Sequence, residues 1–147
     1  MSIGTAFKDT FAKGFTAGHK VLIRATNGKI GGTALGMPVL VLTTTGRKSG
    51  VARKTPLTCF DDTVNDRIVI VASWGGDDRH PDWYLNLVAN PEVGVLIHGK
   101  ALSMVARTGT TEEKADVWPT LVGMYKGYAA YQKRTERDIP VVILTDR

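Results

Sequence analysis

The feature that most constrains the fold is an apolar, β-branched run that stops at a cationic turn bracketed by glycines and then resumes. Val39 to Thr45 reads VLVLTTT, the turn reads Gly46-Arg47-Lys48-Ser49-Gly50, and a second run spans Lys54 to Phe60. β-Branched residues lose side-chain freedom in a helix and pack well on a pleated surface, so both runs predict strands. The glycine-bracketed connection makes them a hairpin. Gly46 and Gly50 permit backbone conformations that turn successive N–H groups toward one point, as in an anion nest. Arg47 can grip phosphate or carboxylate with two parallel hydrogen bonds, Lys48 adds a point charge, Ser49 adds a hydroxyl, and Arg53 follows three residues beyond Gly50. The order lacks the upstream glycine spacing of a Walker A loop. Taken alone, the turn is either an anion-binding corner or a solvated basic hairpin tip.

More short strands follow. Arg67 to Ser73, Glu92 to His98, Leu102 to Arg107 and the terminal VVILT from Val141 have strand character, with turn chemistry in DDTVND and HGK. The glycine-rich NGKIGGTALGMP reads as a loop ending at Pro38. Helices are expected in residues 1–27, where Phe7, Phe11 and Phe15 recur every fourth position, and from Pro81 to Ala89, stopped by Pro91. Thr110 and Glu113 have capping-box spacing and open a helix toward Met124 that Pro119 should interrupt; Tyr125 to Thr135 makes another. The class is α+β, with about six mostly antiparallel strands and flanking helices, and a small closed barrel would remove exposed edges. Residues 1–147 read as one domain, with the 1–27 helix peripheral to it.

A net charge of +5 favours anionic partners such as phosphorylated cofactors, nucleic acid or membrane surfaces. The cations gather at the turn and the N-terminal helix instead of interleaving with aromatics along a face, so nucleic-acid binding is not expected. The single cysteine, Cys59, excludes an internal disulfide and reads as a small buried hydrophobe. No apolar run approaches the roughly 20 residues of a membrane span, and the N-terminus lacks a signal peptide's apolar core. A cytoplasmic protein is expected, with the basic N-terminal helix as the segment suited to weak contact with a membrane surface.

Two further stretches are candidates for a site. In ASWGGDDRHPDWYLNL, Ala72 to Leu87, a strand end, two glycines and a helix N-terminus make a donor-rich corner beside Trp83 and Tyr84. In MYKGYAAYQKRT, Tyr125, Tyr128 and Tyr131 form a slanting aromatic patch with polar tips, suited to a flat aromatic ligand. His19, His80 and His98 show no paired-ligand spacing, so no metal site is expected. Asp61-Asp62 and Asp77-Asp78 read as solvated loop carboxylates. With neither metal nor activated nucleophile in view, enzymatic activity would need a bound cofactor.

Four linked segments carry a family resemblance: LTTTGRKSGVARKTPL, ASWGG…HPDWYLNLVANPEV, WPTLVGMYKGYAAYQ and IPVVIL. In order and spacing, from about Gly28 onward, they resemble the actinobacterial deazaflavin-dependent nitroreductases, which use coenzyme F420 to reduce quinones, enones and nitro compounds. The resemblance implies a split β-barrel like that of FMN-binding reductases. It implies that Arg47, Lys48, Ser49 and Gly50, with Arg53, hold the anionic phosphate and glutamate tail of the cofactor. Ala72, Ser73 and Gly75 would line the deazaflavin ring, and Trp83, Tyr84 and Asn86 would contact the cofactor. Tyr125, Tyr128 and Tyr131 would face the substrate, with Ser73 and Tyr128 as the catalytic candidates. Trp74 stands where relatives commonly have lysine, which makes it a further substrate-side candidate. Thr58 stands where some relatives have tyrosine.

The implied activity is hydride transfer from reduced deazaflavin to an electron-poor small molecule: a quinone, an activated enone or lactone, or a nitroaromatic. The alternatives are an FMN-dependent reductase on the same barrel and a non-catalytic cofactor-binding protein. The sequence is compatible with a monomer or a homodimer.

Overall fold

The computed structural model describes Thr33–Ala34 and residues 37–147. The helix expected over residues 1–27 lies outside the described residues. Among the described residues there are eight strands: β1 (Thr33–Ala34), β2 (Met37–Thr45), β3 (Ala52–Thr58), β4 (Phe60–Asp62), β5 (Arg67–Val71), β6 (Glu92–Ile97), β7 (Lys100–Thr108) and β8 (Val141–Asp146). A 3₁₀ turn at Trp74–Gly76 precedes helix α1 (Asp82–Ala89); α2 (Thr111–Met124) and α3 (Gly127–Arg134) lie between β7 and β8.

All the pairings are antiparallel, in the order β1-β2-β6-β7-β8-β5-β4, with β3 also on β2. The ring closes at Cys59, the one residue between β3 and β4. β3 pairs with β2 through Val39↔Thr58, and β4 pairs with β5 through Phe60↔Val69. The strand expected from Lys54 to Phe60 is therefore a longer one that changes partner at its corner. Counted as one bent strand, β3–β4 completes a barrel of six with β5, β8, β7, β6 and β2, as a closed sheet requires. Cys59 donates its N–H to the Pro38 carbonyl at 2.9 Å and is 1% exposed, the buried residue expected. Pro38 itself lies within β2, one residue beyond the strand's start, so the expected loop gives way to strand earlier than Pro38 suggested.

The apolar runs of β5 and β8 are continuous because both faces are buried. Ile68, Ile70, Val142 and Leu144 fill the barrel interior; Val69, Val71, Val141 and Ile143 face outward into a second cluster with Val117, Leu121 and Tyr128 of α2 and α3. Trp83, Tyr84 and Leu87 carry α1 into the interior cluster.

Helix α2 opens on the expected capping box: Glu113 N–H donates to Thr110 Oγ1 at 3.1 Å, and Thr110 N–H to Glu113 Oε1 at 2.9 Å. The interruption expected at Pro119 does not occur, and α2 runs unbroken to Met124. Proline removes one backbone bond there, while the buried Val117 and Leu121 anchor the turns on either side. Several strand ends also shift: β5 stops at Val71, short of Ser73, β6 ends at Ile97, and β7 covers Lys100–Thr108. His98 and Gly99 both take positive φ, +50° and +75°, the requirement of a two-residue hairpin loop between Ile97 and Lys100. Asp62 is not solvated: it is 5% exposed and accepts from Asn65 and from Arg67 Nε at 2.9 Å. Burial raises its pKa, but the hydrogen bonds more than offset this and hold it below the usual value. The Asp77 side chain is also largely covered, paired with Arg79 at 3.2 Å.

Candidate functional site

The cationic turn shapes itself. Gly46 N–H donates to the Val51 carbonyl and Gly50 N–H to the Gly46 carbonyl, both at 2.8 Å, with Gly50 at φ +71°. A Cβ on Gly46 would lie 2.7 Å from Ser49 Oγ, which accepts from Val51 N–H at 3.2 Å. The backbone thus fixes the loop and leaves Arg47, Lys48, Ser49, Gly50 and Arg53 exposed.

Helix α1 seats this turn. Asn86, 4% exposed, accepts at its Oδ1 from Arg47 N–H at 3.2 Å and from Arg47 Nη1 at 2.9 Å. Its amide nitrogen donates to Thr44 Oγ1 at 3.4 Å. Asp82, in the first turn of α1, pairs with Arg47 Nη2 at 3.3 Å. Arg53 is the cross-strand partner of Thr44. Opposed residues project on one face, so Arg53 shares the Asn86 side of the hairpin. Trp83 and Tyr84 are 7% and 9% exposed and pack in the barrel interior, and the Tyr84 hydroxyl lies 2.8 Å from that of Thr108.

The strand-end corner lies just before α1. Ala72 is fully buried and Ser73 half-buried. Trp74, Gly75 and Gly76 follow at φ +45°, +62° and +81°. For tryptophan the left-handed region costs roughly 1–2 kcal/mol. Gly76 is required: a Cβ there would lie 2.8 Å from the Tyr131 carbonyl and 3.0 Å from Arg134 Cβ. Arg134 Nη1 donates to the Gly75 carbonyl at 3.4 Å, so α3 lies directly against the corner.

The tyrosines form the expected cluster. Tyr125 and Tyr131 share a 2.8 Å hydroxyl contact, and Tyr125 and Tyr128 rings meet edge-on with centroids 5.1 Å apart. Tyr128 lies deepest, 5% exposed, with its hydroxyl 3.1 Å from Thr58 Oγ1. Burial raises the Tyr128 phenol pKa, and burial with the Tyr125 contact lifts that of Tyr131 to about 12. Both stay protonated at neutral pH and can donate.

Sequence reasoning missed Arg137 and His80. Arg137 donates to the carbonyls of Ala72, Ser73 and Asp77 and to His80 Nδ1. The signal was the antiparallel register of β5 and β8. Val71 pairs with Val141 and Ala72 N–H donates to the Pro140 carbonyl, which brings the residues before β8 beside those after β5.

An antiparallel barrel thus joins its glycine corner to a cationic turn through α1 and to a tyrosine cluster through α3, and the comparisons with known proteins place it in the split-barrel class of reductases. The family model for F420H(2)-dependent quinone reductases matches residues 17–146, and the chain belongs to that family. It is 41% identical over 133 residues, 88% of each chain, to an F420H(2)-dependent quinone reductase of Mycobacterium tuberculosis. It is similar to a solved F420-H2 dependent reductase at 44% identity and TM-score 0.66, covering 73% of this chain and 93% of that one. It is also similar to a solved chain described as a domain-swapped dimer, at 39% identity and TM-score 0.68, covering 87% and 95%.

Membership makes the chain an oxidoreductase dependent on coenzyme F420. The donor set fits that cofactor: the Gly46, Arg47, Gly50 and Val51 N–H groups are spent on holding the turn, and the exposed guanidinium, ammonium and hydroxyl groups it presents suit a tail of phosphate and carboxylates. Among the described residues no cluster of His, Cys, Asp or Glu could hold a metal ion, and no helix is long and apolar enough to cross a membrane.

Proposed function

We propose that this chain, acting as one split-barrel domain, reduces an electron-poor small molecule, a quinone foremost, with a hydride drawn from reduced coenzyme F420. The observation that carries this reading is the coupling of the cationic turn to the glycine corner by α1, through Asn86 and Asp82 on Arg47. The names of the curated relatives support a quinone as the acceptor.

In this reading Arg47, Lys48, Ser49, Gly50 and Arg53 bind the anionic tail. Ala72, Ser73 and Gly75 line the ring, and Trp83, Tyr84 and Asn86 back it from α1. When bound, the deazaflavin supplies the hydride. The protein supplies position, exclusion of water and a proton. Tyr125, Tyr131 and Trp74 bound the acceptor, while Ser73 and Tyr128 orient it. A phenol of the cluster donates the proton that completes the two-electron reduction, and solvent returns it. The reading takes the protein to work in the cytoplasm; the relative described as a domain-swapped dimer supports self-association.

The test is anaerobic turnover of reduced F420 with a quinone, an activated enone and a nitroaromatic in parallel, followed by the return of the oxidised deazaflavin absorbance. The expected result is enzyme-dependent oxidation, fastest with the quinone. Absence of turnover with every acceptor would remove the reading.

A further inference from the structure

We propose that Arg137 is a positioning residue for the reaction: its guanidinium clamps the strand-end corner from Ala72 to Asp77 and fixes the tautomer of His80, so that the backbone facing the cofactor is set before binding. The consequence for turnover rests on the function proposed above; the clamp itself rests on geometry alone.

The ladder of β5 ends at Val71, and the chain then enters three consecutive residues of positive φ. Arg137 engages both flanks of that segment. Nη2 donates to the Ala72 carbonyl at 3.2 Å and to the Ser73 carbonyl at 2.9 Å, and Nε donates to the Asp77 carbonyl at 2.8 Å. Nη1 contacts His80 Nδ1 at 3.2 Å. Four of the five guanidinium N–H bonds are thereby engaged. A planar, permanently charged fork reaches three carbonyls from separate, fixed nitrogens; the donors of lysine radiate from a single nitrogen and do not reproduce that spacing.

A guanidinium only donates, so His80 Nδ1 must accept and the ring proton resides on Nε2. Burial, and then the Arg137 charge, lower the His80 pKa and keep the ring neutral. The imidazole lies 4.8 Å from the Tyr84 ring in the first turn of α1, the helix that also carries Asn86 and Asp82. Arg137 is itself held: its N–H donates to Thr135 Oγ1 at 3.3 Å, the Thr135 hydroxyl donates to Asp78 at 2.7 Å, and Gln132 donates to the Arg137 carbonyl at 2.8 Å. One side chain thus ties together the end of β5, the glycine corner and the approach to α1.

The experiment compares the full chain with its Arg137→Lys and Arg137→Ala variants. Without cofactor, amide hydrogen exchange across residues 72–80 is expected to speed up in both variants while β2 and β7 keep their protection. The NMR titration of His80 is expected to move up in Arg137→Ala, because the facing cation that helps to lower it is gone. With reduced F420, kcat/KM should fall about tenfold to a hundredfold in Arg137→Lys, the range expected for misplacement of a site. The acceptor KM should change little, and guanidinium ion should restore part of the loss in Arg137→Ala.

A lower unfolding midpoint with unchanged kcat/KM per folded molecule would mean a merely structural role and overturn the proposal. So would wild-type exchange over 72–80 in Arg137→Lys. If Arg137→Ala does not fold, Arg137→Lys decides. If the wild type fails to bind F420, the proposed function falls, while exchange and the His80 titration still decide whether the clamp exists.

Discussion

The backbone N–H and the guanidinium of Arg47 converge on one acceptor, Oδ1 of Asn86, at 3.2 and 2.9 Å. Two groups of one residue, bound to one buried atom, fix both the loop and the charge it presents. Asn86→Ala removes that acceptor and leaves a turn N–H without it, at a cost of about 1–3 kcal/mol. The variant should unfold at lower urea and bind F420 at least several-fold more weakly. A cofactor titration matching wild type would separate Asn86 from the turn's function.

Asp82 competes for the same guanidinium. Its side chain is 87% exposed and lies 3.3 Å from Arg47 Nη2. An anionic ligand at the turn must share or displace that contact. Asp82→Asn should therefore tighten F420 binding, by about threefold at low salt with the gain fading as salt rises, and should leave thermal stability nearly unchanged. Weaker binding would show that Asp82 orients Arg47 more than it competes with the ligand.

The hairpin and its charges were legible in the sequence because they are local: period, glycine and cation sit within one stretch. The capping box of α2 was legible for the same reason. Partner choice was not. The switch of β3–β4 at Cys59 joins two hairpins, β2–β3 and β4–β5, inside one apolar run that carries no mark of the corner, and the meeting of Arg137 with the 72–77 corner depends on the pairing of β5 with β8, about 70 residues apart, which no local pattern encodes. Asp62 looked like a loop carboxylate because its partners, Asn65 and Arg67, lie across a turn whose geometry the composition does not reveal. The tyrosine spacing announced a patch but not its depth, and the burial of Tyr128 against Thr58 and Met37 is a product of packing.

Two glycines around the tyrosines should behave differently. A Cβ on Gly127 would fall 2.2–2.4 Å from the far end of the Tyr125 ring, which can swing away. Gly127→Ala should displace Tyr125, break its contact with Tyr131 and change acceptor KM while leaving F420 affinity intact. A Cβ on Gly76 would meet backbone, the Tyr131 carbonyl, at φ +81°. Gly76→Ala should cost about 1–3 kcal/mol. Urea unfolding and acceptor kinetics on both variants check this, and equal destabilisation would contradict it.

Glu113 ties the start of α2 to Arg107 through contacts of 2.6 and 2.7 Å. Those hydrogen bonds, foremost, lower its pKa from 4.5 to about 2. The native state therefore binds fewer protons than the unfolded chain between those values. Its contribution is complete above about 4.5 and is lost as pH falls toward 2. Glu113→Gln should be less stable than wild type at neutral pH by about 1 kcal/mol, and the gap should narrow through that window. A gap that persists to its acid end would assign the effect to packing.

The most direct test of the central claim is a tryptophan-fluorescence titration of the wild-type chain with F420 and with FMN, at low and high salt. The account predicts quenching by F420 with an affinity that weakens as salt rises, and much weaker binding of FMN. Equal or tighter binding of FMN, or an F420 affinity indifferent to salt, would contradict the claim that the Arg47 turn holds the anionic tail of the deazaflavin.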